Sequence, residues 1–278
     1  AKGVWHLVTD NNLILDVVGL GFSIEWDNEL PHVLHDGKNP PVTEDINIIL
    51  DNEVANMLKK NVIRLANSSI PGVLSGYFAR PKKAEGKFRP IVSLKYTNSF
   101  ITYRKFRITT TVEVVRWVRK DYYFTSIYLS DACFVILLRH GEAKYTRFSW
   151  RIIIYEYLTV MFGLGPSTHI FTKLMAAMIV FLRRQLRILI IAYIDDLLIQ
   201  AADKQTCRLN AKITILVLKD LGYGVNFEKS ALTPLKTVEH LGFTWDSNRM
   251  MVSLPQVKIN KIVLRAKLAL VKGGMTAG

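Results

Sequence analysis

The sequence predicts an α+β fold, in which short β-hairpins and longer helices share one chain. Two observations carry this prediction: a β-branched apolar run at residues 190–199, and apolar residues at helical spacing from Ile46 to Leu58. The first pattern is typical of two buried strands joined by a tight turn, and the second of an amphipathic helix. The chain has 278 residues, half of them hydrophobic, so it can bury a sizeable core in one large domain or two smaller ones.

The charge of the chain indicates its class of partner, and its cysteine content indicates its compartment. Lys and Arg outnumber Asp and Glu by 37 to 23, a formal net charge of +14, which favours nucleic acid first and an anionic membrane surface second. Cys133 and Cys207 are too few for a disulfide framework, so we expect an intracellular location, cytoplasmic or nuclear. The longest apolar region, residues 174–199, is interrupted by three arginines and is not expected to span a membrane.

The 190–199 run carries two adjacent carboxylates, Asp195 and Asp196, at its predicted turn. Acids at the tip of an apolar hairpin are costly unless a positive group meets them, and a divalent cation such as Mg²⁺ takes carboxylate oxygens readily. Asp also favours ordinary turns, because its side chain bonds its own backbone. On this decapeptide alone a metal site and a plain turn remain equally open.

The other elements are predicted from the same periodicities and from helix start and stop residues. The predicted helices lie at residues 43–60, 112–119, 168–184, 203–221 and 255–270. The predicted strands lie in a basic hairpin at 77–92, and at 123–129, 144–150, 152–158, 238–245 and 249–253.

Two of these segments admit both a functional and a structural interpretation. The basic hairpin gathers several cations around one turn, where they either face phosphates or form a solvated edge protected by lysine, the commoner arrangement in isolation. The turn at residues 162–168 contains Gly163 and Gly165. These glycines allow the backbone to approach a ligand closely, and they serve a plain loop-to-helix junction equally well.

Several short blocks occur in one order over nearly the whole chain, from Trp5 to Lys267. They are Pro81-Lys82-Lys83, Lys87-Phe88-Arg89-Pro90-Ile91, Asp131-Ala132 with Phe134, Phe162-Gly163-Leu164, Ile170-Phe171-Thr172-Lys173, Tyr193-Ile194-Asp195-Asp196, Asn226 with Glu228-Lys229, Leu241-Gly242-Phe243 and Leu254-Pro255. Each block is short, but together their order and spacing resemble a reverse transcriptase. The resemblance is nearest to the DIRS-like retrotransposons that carry a tyrosine recombinase.

The resemblance implies a right-hand polymerase with fingers, a palm built from an antiparallel sheet backed by helices, and the start of a thumb. We therefore expect residues 1–122 to be mainly fingers with an N-terminal extension. Residues 123–245 are expected to be mainly palm, although those from about 135 to 160 could return to the fingers. Residues 246–278 are expected to begin the thumb.

The same resemblance implies roles for individual residues. Asp195 and Asp196 resemble the two palm carboxylates that bind metal, and Lys229 resembles the lysine proposed to protonate the leaving pyrophosphate. Lys82 and Arg89 look like the fingers cations that grip the incoming triphosphate, one as a point charge and one as a bidentate fork. The other expected substrate contacts are Asp131, Ala132, Cys133, Phe162 and Gly163, and the expected primer grip is Leu241, Gly242 and Phe243.

One position departs from the family where the chemistry is most demanding. The reaction uses two divalent ions, expected to be Mg²⁺, about 4 Å apart. The family holds them with three carboxylates, the third in the pattern Ser-Ile-Asp-Leu-Lys-Asp-Ala-Tyr-Phe. This chain has Ser126-Ile127-Tyr128-Leu129-Ser130-Asp131-Ala132-Cys133-Phe134.

Tyr128 therefore stands at the expected third ligand position. A phenol with a pKa near 10 stays protonated at neutral pH and binds Mg²⁺ poorly. Asp131 is displaced by three residues and faces the opposite side of the strand unless a bulge intervenes. We expect the rate of nucleotidyl transfer to fall by about 10³-fold or more.

Other motif positions drift as well. Cys133 stands where the family has the aromatic gate beneath the sugar, Ser93 replaces an aspartate, and Ser167-Thr168 replaces Ala-Pro.

Three hypotheses for the function remain. One is a reverse-transcriptase domain that uses deoxynucleoside triphosphates to extend a DNA primer on an RNA template, holding the hybrid duplex. A second is a catalytically inactive domain that keeps its basic cleft for nucleic acid. A third is a scaffold that docks partners, including other domains of a longer polyprotein; no membrane partner is expected.

Overall fold

The computed structural model describes residues 2–27, 29–31, 37, 39–81 and 88–271. Helices and strands occur in both halves of this range, in agreement with the predicted α+β class. The helices are α1 (Lys2–Val8), α2 (Asn12–Leu20), α3 (Glu44–Lys59), α4 (Lys95–Asn98), α5 (Thr111–Trp117), α6 (Ser167–Arg184), α7 (Lys204–Asp220) and α8 (Gln256–Val271). The strands are β1 (Ile63–Leu65), β2 (Leu74–Ser75), β3 (Tyr77–Pro81), β4 (Phe88–Val92), β5 (Tyr123–Ser130), β6 (Arg147–Trp150), β7 (Ile153–Tyr157), β8 (Leu189–Tyr193), β9 (Asp196–Ala201), β10 (Gly224–Leu235), β11 (Thr237–His240), β12 (Phe243–Asp246) and β13 (Met251–Ser253).

The chain forms two compact units, each assembled from separate segments. Unit 1 contains residues 1–107, 131–178 and 221–223. It holds a four-stranded sheet of order β1-β7-β6-β2, in which β2 runs parallel to β6, and a separate β3–β4 hairpin. Aromatic rings fill its core, with Tyr77 and Tyr155 packing on Phe148 at centroid distances of 4.7 and 5.5 Å.

Unit 2 contains residues 108–130, 179–220 and 224–278. Its main sheet has the antiparallel order β10-β5-β9-β8, and α7 packs on β5, β9 and β10. The helix buries Cys207, Ala211, Thr214 and Leu218, which lie on one face because their spacing follows the helical period. The other face of the sheet is therefore left for the remaining elements of this unit.

A second sheet of unit 2, of order β11-β12-β13, is joined to the main sheet through a shared core. Phe124, Leu198, Val238 and Trp245 are buried together there. The indole nitrogen of Trp245 donates a hydrogen bond to the carbonyl of His240 at 2.9 Å. This bond satisfies the polar atom of the largest side chain in the cluster and fixes the β11–β12 hairpin.

Most predicted elements are present, with two corrections. Residues 238–245 form two strands, β11 and β12, because Leu241 and Gly242 adopt positive φ angles of 52° and 73° and make a turn. The helix predicted at 112–119 ends at Trp117, since Val118 is extended at φ −61° and ψ 135°; Arg119 lies beyond it. The turn of the basic hairpin, with Lys82, falls outside the described residues.

No helix within the described parts of the chain is both long and apolar enough to cross a lipid bilayer.

Candidate active site

The acidic hairpin forms as the sequence predicted. Strands β8 and β9 bury Ile190, Leu197, Leu198 and Ile199, so the apolar run fixes which way the turn faces. Ile194 adopts φ 52°, a left-handed conformation that is unfavourable for a β-branched side chain and that marks a constrained position. The turn leaves Asp195 partly exposed and Asp196 buried.

Tyr128 lies directly across from Asp196. The register of β5 against β9 pairs these two residues, and the backbone N–H of Leu129 donates to the carbonyl of Asp195 at 2.8 Å. Directly opposed residues in an antiparallel pair have Cβ atoms about 4.5–5.5 Å apart. Tyr128 therefore occupies the cross-strand position from which a third carboxylate would reach the acidic pair.

The phenol of Tyr128 is held in its neutral form. Burial raises its pKa well above the ordinary value, and a hydrogen bond with Asp196 and the negative charges of Asp196, Asp195 and Glu239 raise it further. Each of these effects disfavours the phenolate. Tyr128 thus supplies a hydroxyl, not an anion, at this position.

Lys229 lies within electrostatic reach of the acidic pair. Burial raises the pKa of the Asp195 carboxyl and the Asp196 charge adds to the rise, whereas the Lys229 ammonium opposes it. Lys229 and Tyr128 line one cavity of about 550 Å³ in unit 2. Of the expected site residues, Tyr128, Asp195, Asp196 and Lys229 are therefore gathered in one unit.

Sequence reasoning missed His240. Its ring is fully buried, and Nδ1 lies 3.0 Å from Oδ2 of Asp196, whose side chain is only 6% exposed. His240 directly precedes the Leu241-Gly242-Phe243 block. The resemblance covers that block but not His240. A histidine within a predicted strand, next to Glu239, gave no indication of burial against Asp196.

The residues present do not fit a two-ion centre. Tyr128 is neutral, Oδ2 of Asp196 faces His240, and Oδ1 of Asp196 is shielded from solvent without a hydrogen-bond partner among the described groups. Over the described residues, no three His, Cys, Asp or Glu side chains converge as a metal site. Asp195 alone offers a partly exposed carboxylate, and one carboxylate is too few to hold two divalent ions close together.

Asp131 lies past the end of β5 and belongs to unit 1. Its backbone is left-handed at φ 51°, and its carboxylate accepts a hydrogen bond from Lys60 Nζ at 2.6 Å. Both side chains are about half exposed, at 48% and 42%, so this ion pair adds little stability. Ala132 and Cys133 follow in a buried 3₁₀ turn, so Cys133 does not present its side chain to solvent.

Gly163 is held by a second residue that the sequence did not single out. Asn98 Nδ2 donates to the carbonyl of Gly163 at 2.7 Å, and Asn98 Oδ1 accepts from the amide of Gly165 at 2.8 Å. Gly163 adopts φ 97°, and a Cβ there would meet only open space and one carbonyl at 3.9 Å. The conformation therefore requires glycine, and the exposed Phe162 precedes it.

Replacing Asn98 by alanine should loosen this turn. Two hydrogen bonds are lost, each with a net contribution of about 0.5–1.5 kcal/mol, so we expect unfolding free energy to fall by about 1–2 kcal/mol. The Gly165 amide should exchange its hydrogen faster, which NMR or mass spectrometry measures. Asn98→Asp keeps the acceptor for the Gly165 amide and should retain much of its protection; equal exchange in both variants would contradict the assignment.

Unit 1 also presents a cationic surface. Arg80 and Arg89 are paired directly across β3 and β4, both are exposed, and neither has an ion-pair partner within the residues that the structure describes. Like charges facing each other across a hairpin are destabilising, and a bound anion relieves that repulsion. Arg80, Phe78, Lys95 and Tyr96 line an open cavity of about 900 Å³.

The expected primer grip forms the β11–β12 turn. Leu241 and Gly242 make the turn and Phe243 starts β12, where its ring packs edge-on against Trp245 at 6.4 Å. Lys258 Nζ of α8 donates to the carbonyl of Gly242 at 2.8 Å, and a Cβ at Gly242 would lie 2.3 Å from that nitrogen. A side chain at this position would have to displace the lysine end, and the φ of 73° favours glycine independently. The hydrogen bond connects the turn to the last helix.

Comparison with known sequences places the chain in a family. The sequence model of the family described as "Reverse transcriptase (RNA-dependent DNA polymerase)" matches residues 80–245. The retrovirus-related Pol polyprotein from transposon 297 of Drosophila melanogaster is 27% identical over 190 residues, which cover 64% of this chain and 17% of that protein. The corresponding polyprotein from transposon opus of the same organism is 25% identical over 195 residues, 70% of this chain and 19% of that protein. The chain thus spans less than a fifth of either relative.

Solved structures show the same fold. The protease–reverse transcriptase of prototype foamy virus has a TM-score of 0.69 at 20% identity, over 84% of this chain and 30% of that one. A foamy viral protease–reverse transcriptase in complex with double-stranded DNA has a TM-score of 0.69 at 19% identity, over 94% of this chain and 48% of that one. Since the family match covers more than half of the sequence, this chain belongs to the reverse transcriptase (RNA-dependent DNA polymerase) family.

Proposed function

We propose that this chain is a reverse-transcriptase domain that still binds nucleic acid but has lost most of its capacity for nucleotidyl transfer. The observation that carries the proposal is Tyr128, which the strand register pairs with Asp196 and which stands in the sequence where the resemblance leads us to expect the third carboxylate. Reverse transcriptases depend on divalent ions in general, and the acids of this chain do not fit a pair of them. The basic composition and the Arg80–Arg89 pair support the retained binding.

The partners follow from the same proposal. An RNA template with a DNA primer, or their hybrid duplex, is the polyanion that would meet the cations of unit 1, and the fold resembles a protein solved with double-stranded DNA. Mg²⁺ and deoxynucleoside triphosphates are the ion and substrate we propose for a form with its acids restored, because carboxylate oxygens suit hard cations. The roles expected of Lys82, Arg89, Lys229 and the primer grip are likewise proposals.

Three further assignments are ours. We propose residues 1–122 as mainly fingers with an N-terminal extension, 123–245 as mainly palm with about 135–160 returning to the fingers, and 246–278 as the start of the thumb. The placement nearest to DIRS-like retrotransposons rests on the sequence blocks, and a tyrosine recombinase encoded by the same element would support it. An intracellular location rests on the two cysteines, neither of which is in a disulfide and both of which are buried.

The salt dependence of duplex binding tests the retained function. We expect affinity for an RNA–DNA hybrid to fall by about 10³-fold or more between 50 and 200 mM salt, as for proteins with about six or more phosphate contacts. Arg89→Ala should reduce the slope of log K against log salt by about 1, because one phosphate contact is lost. Fluorescence anisotropy at several salt concentrations gives both quantities.

Arg151→Ala is the matched control for this measurement. It removes the same charge, but Arg151 is already paired with Asp51 through two hydrogen bonds of 2.8 and 2.7 Å, so its slope should match that of the parent chain. Affinity that does not change with salt, or no binding at low salt, would overturn the proposal and favour a scaffold that docks other proteins.

A further inference from the structure

We infer that Asp196 is the structural partner of His240 and not a cation ligand, which leaves Asp195 as the single carboxylate of the motif that a divalent cation can reach. This inference deepens the proposed loss of nucleotidyl transfer and rests on it. It concerns this chain's own arrangement, because it depends on a histidine at the end of β11 that the sequence blocks do not contain.

The contact joins two groups that are both enclosed by protein. Oδ2 of Asp196 lies 3.0 Å from Nδ1 of His240, and the two side chains are 6% and 0% exposed. Neither ring nitrogen has a hydrogen-bond partner among the described groups, so the pairing is a close approach of the carboxylate to the ring and not a hydrogen bond. Asp196 is the one charged partner that the described structure gives to this ring. A buried carboxylate without a partner is strongly unfavourable, and so is a buried imidazole; each therefore depends on the other.

The ring of His240 is held in place by the surrounding hairpin. The backbone carbonyl of His240 accepts a hydrogen bond from the indole N–H of Trp245, and the residue pairs with Phe243 across the Leu241-Gly242 turn. Trp245 is itself fixed in the core with Phe124 and Leu198. Because the hairpin is rigid on both sides of His240, the ring is positioned against Asp196 and cannot follow it toward a cation without disturbing this core.

The other oxygen of Asp196 is closed to a cation as well. Oδ1 is shielded from solvent, and Tyr128 occupies the opposing position on β5. Asp195, by contrast, lies in the turn with a partly exposed side chain, and Lys229 is its charged neighbour. An ion that approaches the hairpin tip therefore meets Asp195 and water, a ligand set that holds divalent cations weakly.

A double-mutant cycle tests the structural half of the inference. His240→Phe and Asp196→Asn should each lower the folding equilibrium constant by about 100-fold or more, because each removes the contact that joins two buried side chains. The double variant should be at least as stable as the less stable of the two single variants. Urea unfolding measures the stability of the parent chain, the two single variants and the double variant. His240→Gln, which keeps an amide donor near Oδ2, should recover part of the stability lost in His240→Phe. Effects that simply add in the double variant would overturn the pairing.

Binding of Mn²⁺, followed by electron paramagnetic resonance, tests whether Asp195 is the carboxylate that a divalent cation reaches. The Mn²⁺ affinity should change only if a cation ligand is altered. Asp195→Asn should abolish the specific Mn²⁺ signal, whereas the Asp196→Asn/His240→Phe variant, in which no buried charge is left unpaired, should bind Mn²⁺ within about threefold of the parent chain. Equal loss in both would make Asp196 a cation ligand and overturn the inference, as would no change in Asp195→Asn. Neither experiment involves nucleic acid, so failure here is distinguishable from failure of the salt titration.

Discussion

Tyr128→Asp should extend a DNA primer on an RNA template in Mg²⁺ at least about 10³-fold faster than the parent chain. The substitution places a carboxylate across from Asp196 on the neighbouring strand, where a side chain of that length points at the acidic turn. It also removes a phenol whose burial keeps it neutral. Denaturing gels that follow a labelled primer measure the gain.

The gain should depend on charge and not on the removal of the aromatic ring. Tyr128→Asn has nearly the same size and shape as Tyr128→Asp but adds no anion, so it should remain as inactive as the parent chain. Thermal unfolding gives a second comparison, since Mg²⁺ should raise the melting temperature of Tyr128→Asp more than that of Tyr128→Asn through preferential binding to the folded state.

The opposite outcome would also be informative. If Tyr128→Asp still binds the hybrid duplex with the same salt slope but extends no primer, the missing acid is not the dominant lesion. The drifted positions Cys133, Ser93 and Ser167 then account for the inactivity, or the hold of His240 on Asp196 does. Adding His240→Phe to the Tyr128→Asp protein separates these two, because only the second is relieved by it.

The parts of the fold that the sequence predicts are those set by local patterns. The β-branched run on both sides of Asp195 can bury itself only as two strands, and the acids Glu44 and Asp45 after the N-cap Thr43 favour the start of α3 through the helix dipole. The turn at Leu241 was missed because Leu is a poor indicator of a left-handed conformation. Gly242, directly after Leu241, was the indication that the sequence offered, since a glycine inside a strand pattern suggests a break in the strand.

The candidate site, too, is predictable from the sequence only where local patterns determine it. Two acids at a turn are visible in the sequence, and the resemblance supplied the strand on which the third is missing. The contact of His240 with Asp196 joins residues on strands β11 and β9, far apart along the chain, and no periodicity reports such a pairing. The hydrogen bonds from Asn98 to the Gly163 turn likewise connect a short helix to a loop that is distant in sequence. They become visible only in the folded structure.

Arg147→Met should be the most destabilising single substitution in unit 1, lowering unfolding free energy by about 3–5 kcal/mol. Arg147 is 6% exposed and faces Glu156 across β6 and β7, with Nε donating to Oε2 of that carboxylate at 2.9 Å. Two further N–H groups reach the carbonyls of Ile70 and Asn67 at 2.6 and 3.2 Å. Removing the guanidinium leaves a buried carboxylate and two loop carbonyls without these donors.

Arg64→Met is the matched control, because Arg64 bonds the other oxygen of the same carboxylate at 2.8 Å but is 58% exposed. Its loss should cost less than about 1 kcal/mol, since water replaces an exposed donor easily. The double variant Arg147→Met/Glu156→Leu should be more stable than Arg147→Met alone, because it removes a buried carboxylate that only the exposed Arg64 would still pair. Urea unfolding of these variants measures each difference. If Arg147→Met costs no more than Arg64→Met, then the carboxylate of Glu156 is satisfied from solvent, and the buried pair is not what holds β6 and β7 in register.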